Sequence, residues 1–177
     1  MMKKSTILCM LLLFLLSTPL LSRSLGYGLG YYGEEIMDGP ERVSSGVEVS
    51  LAYKPWLLEY GNPSLVGKVA FGTDQDKEWI IPYLQAGLNI DLVRTMNHPF
   101  NVIAHNVIAY TPAIGLFYQM DPMRESSSFT VEMSPLKLSQ KDFWYEFFSP
   151  FISFNLDEGV VDSWGITLVR YTYFVTK

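Results

Sequence analysis

Cysteine is almost missing from this chain: one residue of 177, Cys9. It lies within an apolar run from Ile7 to Leu16, preceded by Lys3 and Lys4 and closed by Ser17-Thr18-Pro19. This is the layout of a secretory signal peptide, residues 1–24, with Ser22 or Ser24 at the cleavage position. The run is too short to cross a bilayer as a helix, which takes about 20 apolar residues. Beyond it there is no cysteine for a disulfide, a thiol nucleophile, a thiolate metal site or a lipoprotein anchor. Export without cysteine suits the periplasm or outer membrane of a Gram-negative or other diderm bacterium.

Positive charge is also scarce. Losing residues 1–24 would take Lys3, Lys4 and Arg23 from the 13 basic side chains and none from the 18 acidic ones, leaving 10 against 18, a net charge of −8. Such a balance excludes a nucleic-acid partner, which needs phosphate neutralisation, and docking to an anionic membrane by charge. Histidine is limited to His98 and His105, neither with a serine nearby in sequence. The expectation is a protein without catalytic residues, cofactor or metal site. Helical periodicity, internal repeats, charged blocks and low-complexity linkers are missing as well.

What fills the sequence is alternation with period two, the pattern of β-strands. It is longest over residues 78–94, where Ile80, Pro82, Leu84, Ala86, Leu88, Ile90 and Leu92 alternate with Gln85, Gly87, Asn89 and Asp91. Strands are predicted around Val47–Lys54, Leu65–Gly72, Val102–Met120, Phe129–Leu138, Phe143–Leu156 and Ser163–Val175. The glycine-rich Gly26–Gly33 adds an eighth. The connections read as short turns, so the predicted fold is all-β: an antiparallel up-and-down meander closed into a barrel of about eight strands, formed by residues 25–177 as one domain.

The polar face of this alternation decides which way the barrel faces. An open surface would be charged, yet here that face holds Ala52, Ala70, Gly72, Gly87, Asn89, Ala109, Thr111, Ala113, Gly115, Ser149 and Ser153. Small neutral residues suit the confined interior of a narrow barrel, with the apolar face turned to lipid. Eight tilted membrane strands need roughly 10 residues each, which the exported part supplies. Prolines 82, 112 and 150 oppose a continuous ladder and must lie at strand ends, bulges or rims. Trp56, Trp79, Trp144 and Trp164 fall near strand ends, as interfacial belts require, and counting along its strand turns Trp144 toward lipid.

The segment Pro82-Tyr83-Leu84-Gln85-Ala86-Gly87-Leu88-Asn89 resembles the P-Y-V-G-A-G strand motif of small outer-membrane barrels, such as the outer-membrane protein W and A types. The alternating aromatic stretch Tyr171-Thr172-Tyr173-Phe174-Val175 is similar to their final strand, although those chains end on an aromatic residue and this one adds Thr176 and Lys177. The resemblance implies an integral outer-membrane barrel, with membrane lipid and the barrel-assembly machinery as partners.

An inward polar face would carry Glu48, Lys68, Asp91, Glu132 and Arg170. A lipid-facing arginine near the midplane would cost about 2–4 kcal/mol, which turns Arg170 inward. Opposite charges confined in a lumen are expected to pair and plug it. One rim gathers Asp38, Glu41, Asp74, Asp76, Glu78, Asp121, Glu125, Asp157, Glu158 and Asp162 against Arg42, Lys77 and Arg124; the other is near neutral. The expected role is structural, or the passage or binding of a small molecule, an apolar one included. Two alternatives stay open. One is a soluble periplasmic or secreted lipocalin-like barrel with an apolar interior. The other is a lipid-modifying hydrolase or acyltransferase assembled at a rim.

Overall fold

A computed structural model describes residues 24–37, 42–54, 62–95, 108–140 and 142–176. The predicted signal peptide, Trp56, His98 and His105 lie outside the described residues. The strands are β1 (Ser24–Ile36), β2 (Arg42–Lys54), β3 (Pro63–Thr73), β4 (Trp79–Ile80), β5 (Leu84–Asp91), β6 (Ala109–Tyr110), β7 (Ala113–Asp121), β8 (Ser126–Ser134), β9 (Leu136–Ser139), β10 (Phe143–Asn155) and β11 (Val161–Thr176). They form the eight antiparallel staves of a closed barrel, because β4 with β5, β6 with β7, and β8 with β9 each make one stave. Closure comes from β11, which pairs with β10 on one side and with β1 on the other.

Each broken stave is interrupted at a proline: Pro82, Pro112 and Pro135. A proline has no N–H to give the ladder, so the strand lets go there. Hydrogen bonds nevertheless cross the breaks. Ala70 N donates to Tyr83 O at 3.0 Å, Leu92 N to Pro112 O at 2.8 Å and Thr111 N to Lys137 O at 2.9 Å. The stretch 78–94 is therefore not one strand. It breaks between Ile80 and Leu84 and ends at Asp91. Ile80, Pro82 and Tyr83 are buried, so Ile80 and Pro82 do not share the outer face with Ala86 and Leu88. Downstream of the break Gln85, Asn89 and Asp91 point inward. The expected strand from Val102 starts, among the described residues, at Ala109.

Pro150 stays inside β10, two residues beyond Phe148, whose φ is +53°. This irregularity belongs to a larger one. From Ala113 to Tyr110 is three steps on one stave, while their partners Ser134 and Leu138 are four steps apart, so β8–β9 carries an extra residue at Pro135. The pairing of β10 with both halves of that stave keeps one register, which passes the insertion on to β10 and then β11. It ends at Leu168, bulged against Tyr31 and Tyr32 of β1. A bulge sets two neighbours on one face, and so Pro135 with Leu136, Phe147 with Phe148, and Leu168 with Val169 lie side by side outside the bore. Trp144 is consequently buried in the interior, not turned outward as counted from the strand's apolar half.

The distribution of side chains is inside out. Leu29, Tyr27, Met133, Tyr173 and Val175 stand outward, Leu29 being 60 % exposed. The interior holds Glu48, Lys68, Gln85, Asn89, Gln119, Glu132, Lys137, Glu146 and Arg170, all buried. Its apolar part is two small clusters: Ala52, Val66, Phe117, Trp144 and Phe174 toward the end with the chain termini, and Tyr32, Ala70, Tyr83 and Phe151 toward the other. Between β2 and β3, Gly46 is opposite Gly72, and a Cβ on Gly46 would strike the Phe71 carbonyl and the Gly72 Cα. A Cβ on Gly72 would meet the Tyr32 hydroxyl.

Candidate functional site

The buried charges form one connected layer, and the ladder sets its centre. Lys137, Glu146, Arg170, Gly30 and Glu48 are successive partners across β9, β10, β11, β1 and β2. Gly30 has no side chain to stand between Arg170 and Glu48, which meet across it. Arg170 Nε donates to Glu48 Oε1 at 2.7 Å, Nη1 to Glu132 Oε1 at 2.9 Å and to Glu146 Oε2 at 2.8 Å. Nη2 donates to Glu132 Oε2 at 3.0 Å and to Thr167 Oγ1 at 3.3 Å. These are the five donors of a guanidinium, all used, with the pair to Glu132 bidentate.

Lys68 reaches the same carboxylates from β3. Its Nζ donates to Glu132 Oε2 at 2.6 Å, lies 4.0 Å from Glu48 and stands 4.0 Å from the centre of the Phe117 ring. Lys137 Nζ donates to Asp91 Oδ1 at 2.7 Å, with Glu146 at 3.8 Å, over the Trp144 ring. The Tyr83 hydroxyl donates to Glu48 at 2.9 Å. Three cations thus face the four carboxylates Glu48, Asp91, Glu132 and Glu146. A fourth basic side chain, Lys54, has its Nζ over Trp144 and Phe174, 3.8 and 4.0 Å from their ring centres.

Above the layer Gln119 Oε1 accepts hydrogen bonds from Gln85 Nε2, Thr130 Oγ1 and Ser153 Oγ at 2.7, 2.8 and 3.2 Å. Contacts such as Lys68–Glu132 and Lys137–Asp91 cross the bore between non-adjacent staves. An eight-stranded interior is only about wide enough for side chains, so these contacts fill it from wall to wall.

The structure places Glu48, Lys68, Glu132 and Arg170 in one network and joins Asp91 to it through Lys137 and Glu146. Lys137, Glu146 and Tyr83 escaped the sequence reading. Counting by twos from Phe148 and Pro150 puts Glu146 on their outward face, and the bulge at Phe148 reverses that count. The signal was its own position, a carboxylate between Tyr145 and Phe147 in an aromatic run. Lys137 follows a proline that shifts the count in the same way, whereas Tyr83 keeps the parity of Gln85 and Asn89 and shares their inward face.

Several rim acids have local tasks. Asp74 Oδ1 accepts from the backbone N–H groups of Asp76 and Glu78, and Asp121 Oδ1 from those of Met123 and Arg124. These are Asx-type bonds that hold tight turns. Asp162 is buried and binds Arg124 at 2.8 Å as well as the Ser128 hydroxyl. Among the described residues, no three histidine, cysteine, aspartate or glutamate side chains converge on a metal position. Comparison with protein-family models, with curated proteins and with solved structures finds no match in any of the three.

Proposed function

We propose that the chain is an integral outer-membrane barrel, its outer wall against lipid and its bore filled by a salt-bridged layer, with a structural role and no catalysis of its own. The observation that carries this reading is the inversion of chemistry across the wall. Apolar side chains ring the outside on every stave, whereas the interior is charged and paired. A water-soluble monomer exposes contiguous apolar patches of at most a few hundred square ångströms. A lipocalin-like carrier would need the reverse arrangement, with an apolar interior for its ligand.

Two further features agree with lipid as the solvent of the wall. Hydrocarbon offers backbone groups no hydrogen bonds, so gaps in a spanning wall must be closed internally, and bonds to Tyr83, Pro112 and Lys137 carbonyls cross the three proline breaks. Trp79 and Trp164 stand outward near the ends of their strands, where interfacial aromatics sit in membrane barrels. On this reading the partners are outer-membrane lipid and the machinery that inserts barrels.

The test is fractionation of cells making the full chain. The protein is expected to stay with carbonate-washed membranes and to migrate differently on gels before and after boiling. Recovery in the soluble fraction would reject the proposal. In planar bilayers the filled bore predicts no steady conductance, and open-channel steps would reassign the barrel as a pore.

A further inference from the structure

The outside of the wall has a hollow where a side chain is missing. Gly67 of β3 shares the outward face of Leu65, Val69 and Phe71. A Cβ built on it would meet nothing nearer than the Gln85 carbonyl oxygen, 3.9 Å away. The ladder sets Gly67 between Leu51 of β2 and Ala86 of β5, with Tyr27 beyond Leu51 and Tyr118 beyond Ala86. Two small residues thus lie side by side in a row that is large at both ends. The hollow around Gly67 measures about 430 Å³ and is bordered by Tyr27, Val49, Leu51, Val69 and Leu84. Ser50, Lys68 and Gln85 also touch it, but their side chains are buried in the bore, Lys68 on Glu132 and Gln85 on Gln119.

This lining fixes the chemistry of an occupant. The backbone around the hollow is engaged in the β1–β2–β3–β5 ladder, and the outward side chains at its border are aliphatic apart from Tyr27. A polar ligand would find one phenol hydroxyl to bond, whereas a hydrocarbon chain finds apolar contact on floor and sides. An unfilled hollow forfeits that dispersion contact, and close approach at small residues is what favours packing inside a bilayer. Gly67 lies near the middle of β3, well within the part of the wall turned to lipid. We infer that the hollow seats one acyl chain of a membrane lipid, which stays on the barrel when the membrane is dissolved. The inference rests on the outer-membrane reading and gives its lipid partner one fixed place on the wall.

The experiment extracts the full chain from membranes in a mild detergent and reads bound lipid by native mass spectrometry. The parent is expected to carry a lipid adduct. Gly67→Leu fills the hollow from a position with room for a Cβ, and is expected to lower the adduct several-fold. Gly33→Leu is the matched control, because Gly33 is also on the outer face with open space around it, but on β1 and outside the hollow. It keeps the adduct. Equal retention in the parent and Gly67→Leu, or a membrane-extracted parent without adduct, overturns the seat and leaves the membrane reading standing. Recovery of the parent in the soluble fraction overturns both. A dimer that Gly67→Leu disperses gives the hollow to a second copy and rejects the acyl chain. Should Gly67→Leu fail to fold, the parent is placed in vesicles of a phospholipid with a photoactivated diazirine in its acyl chain. Adducts concentrated on Tyr27, Leu51 and Leu84 are the expected result, and adducts spread evenly over the wall reject the seat.

Discussion

Arg170 is the residue on which the interior depends most. With all five donors engaged, removing its side chain leaves Glu48, Glu132 and Glu146 buried with, among the described residues, Lys68 and Lys137 as the cations within 4.0 Å of them. Breaking a buried ion pair from one side costs about 3–5 kcal/mol. Arg170→Ala is therefore expected to destabilise the folded barrel by about that amount in denaturant titration, and an unchanged midpoint would remove the network from the stability argument. Glu132 accepts from Arg170 twice and from Lys68 as well, whereas Glu146 accepts one short bond from Arg170. Glu132→Gln should accordingly cost more than Glu146→Gln, which the same titration ranks. At this scale the sequence was informative where a charge stood alone on a regular strand. Glu48 and Lys68 could each be turned inward by counting from apolar neighbours, and Arg170 by the cost of an arginine facing lipid. Glu146 could not, because its neighbours in sequence lie on the far side of a bulge.

Among the elements, the inserted residue that runs from Pro135 through Phe148 to Leu168 determines which side chains reach the bore. It lets Lys137, Glu146 and Arg170 stand in one row while Glu132, Ser149 and Thr167 also point inward. A one-residue shift in a strand exchanges its faces. Deleting Phe148 should thus force either Trp144 and Glu146 or Ser149, Phe151 and Ser153 outward. The expected outcome is loss of the compact form on unboiled gels, whereas Phe148→Leu, which keeps the count, retains it. Strand identity was readable because alternation survives within each half-strand. Pro82 and Pro112 were readable as breaks, whereas the expected strand Phe129–Leu138 ran through the break at Pro135, and Pro150 stays inside β10. The direction of the count beyond each break was not readable, since a proline or bulge can keep or reverse the parity and only the partner strand decides. The two-residue β4 and β6 are too short for any periodicity to register.

For the whole molecule, the outer wall makes the boldest prediction. Leu29 is near the middle of β1, opposite Val49 of β2. An arginine at such a midplane position costs about 2–4 kcal/mol in a bilayer. Leu29→Arg is expected to lower stability by that amount in lipid vesicles, and Val43→Arg, toward the end of its strand, to cost far less. Equal effects at both positions would indicate a wall that does not face hydrocarbon. The all-β class, the antiparallel order and the inward polar face were present in the sequence as patterns of small neutral residues. A closed barrel was expected as well, but the register that seals it was not, because it rests on a pairing between the two ends of the chain that no local pattern records.

That pairing has a consequence for how the protein is made. β1 is among the first described segments to leave the ribosome, and its partner β11 is the last, with Gly30 meeting Arg170 across 140 positions. Until β11 exists, β1 and β10 are both open edges, each able to recruit strands from other chains. The seam between them must be sealed after synthesis, so a nascent chain halted before Val161 is expected to aggregate or remain bound to a holding chaperone.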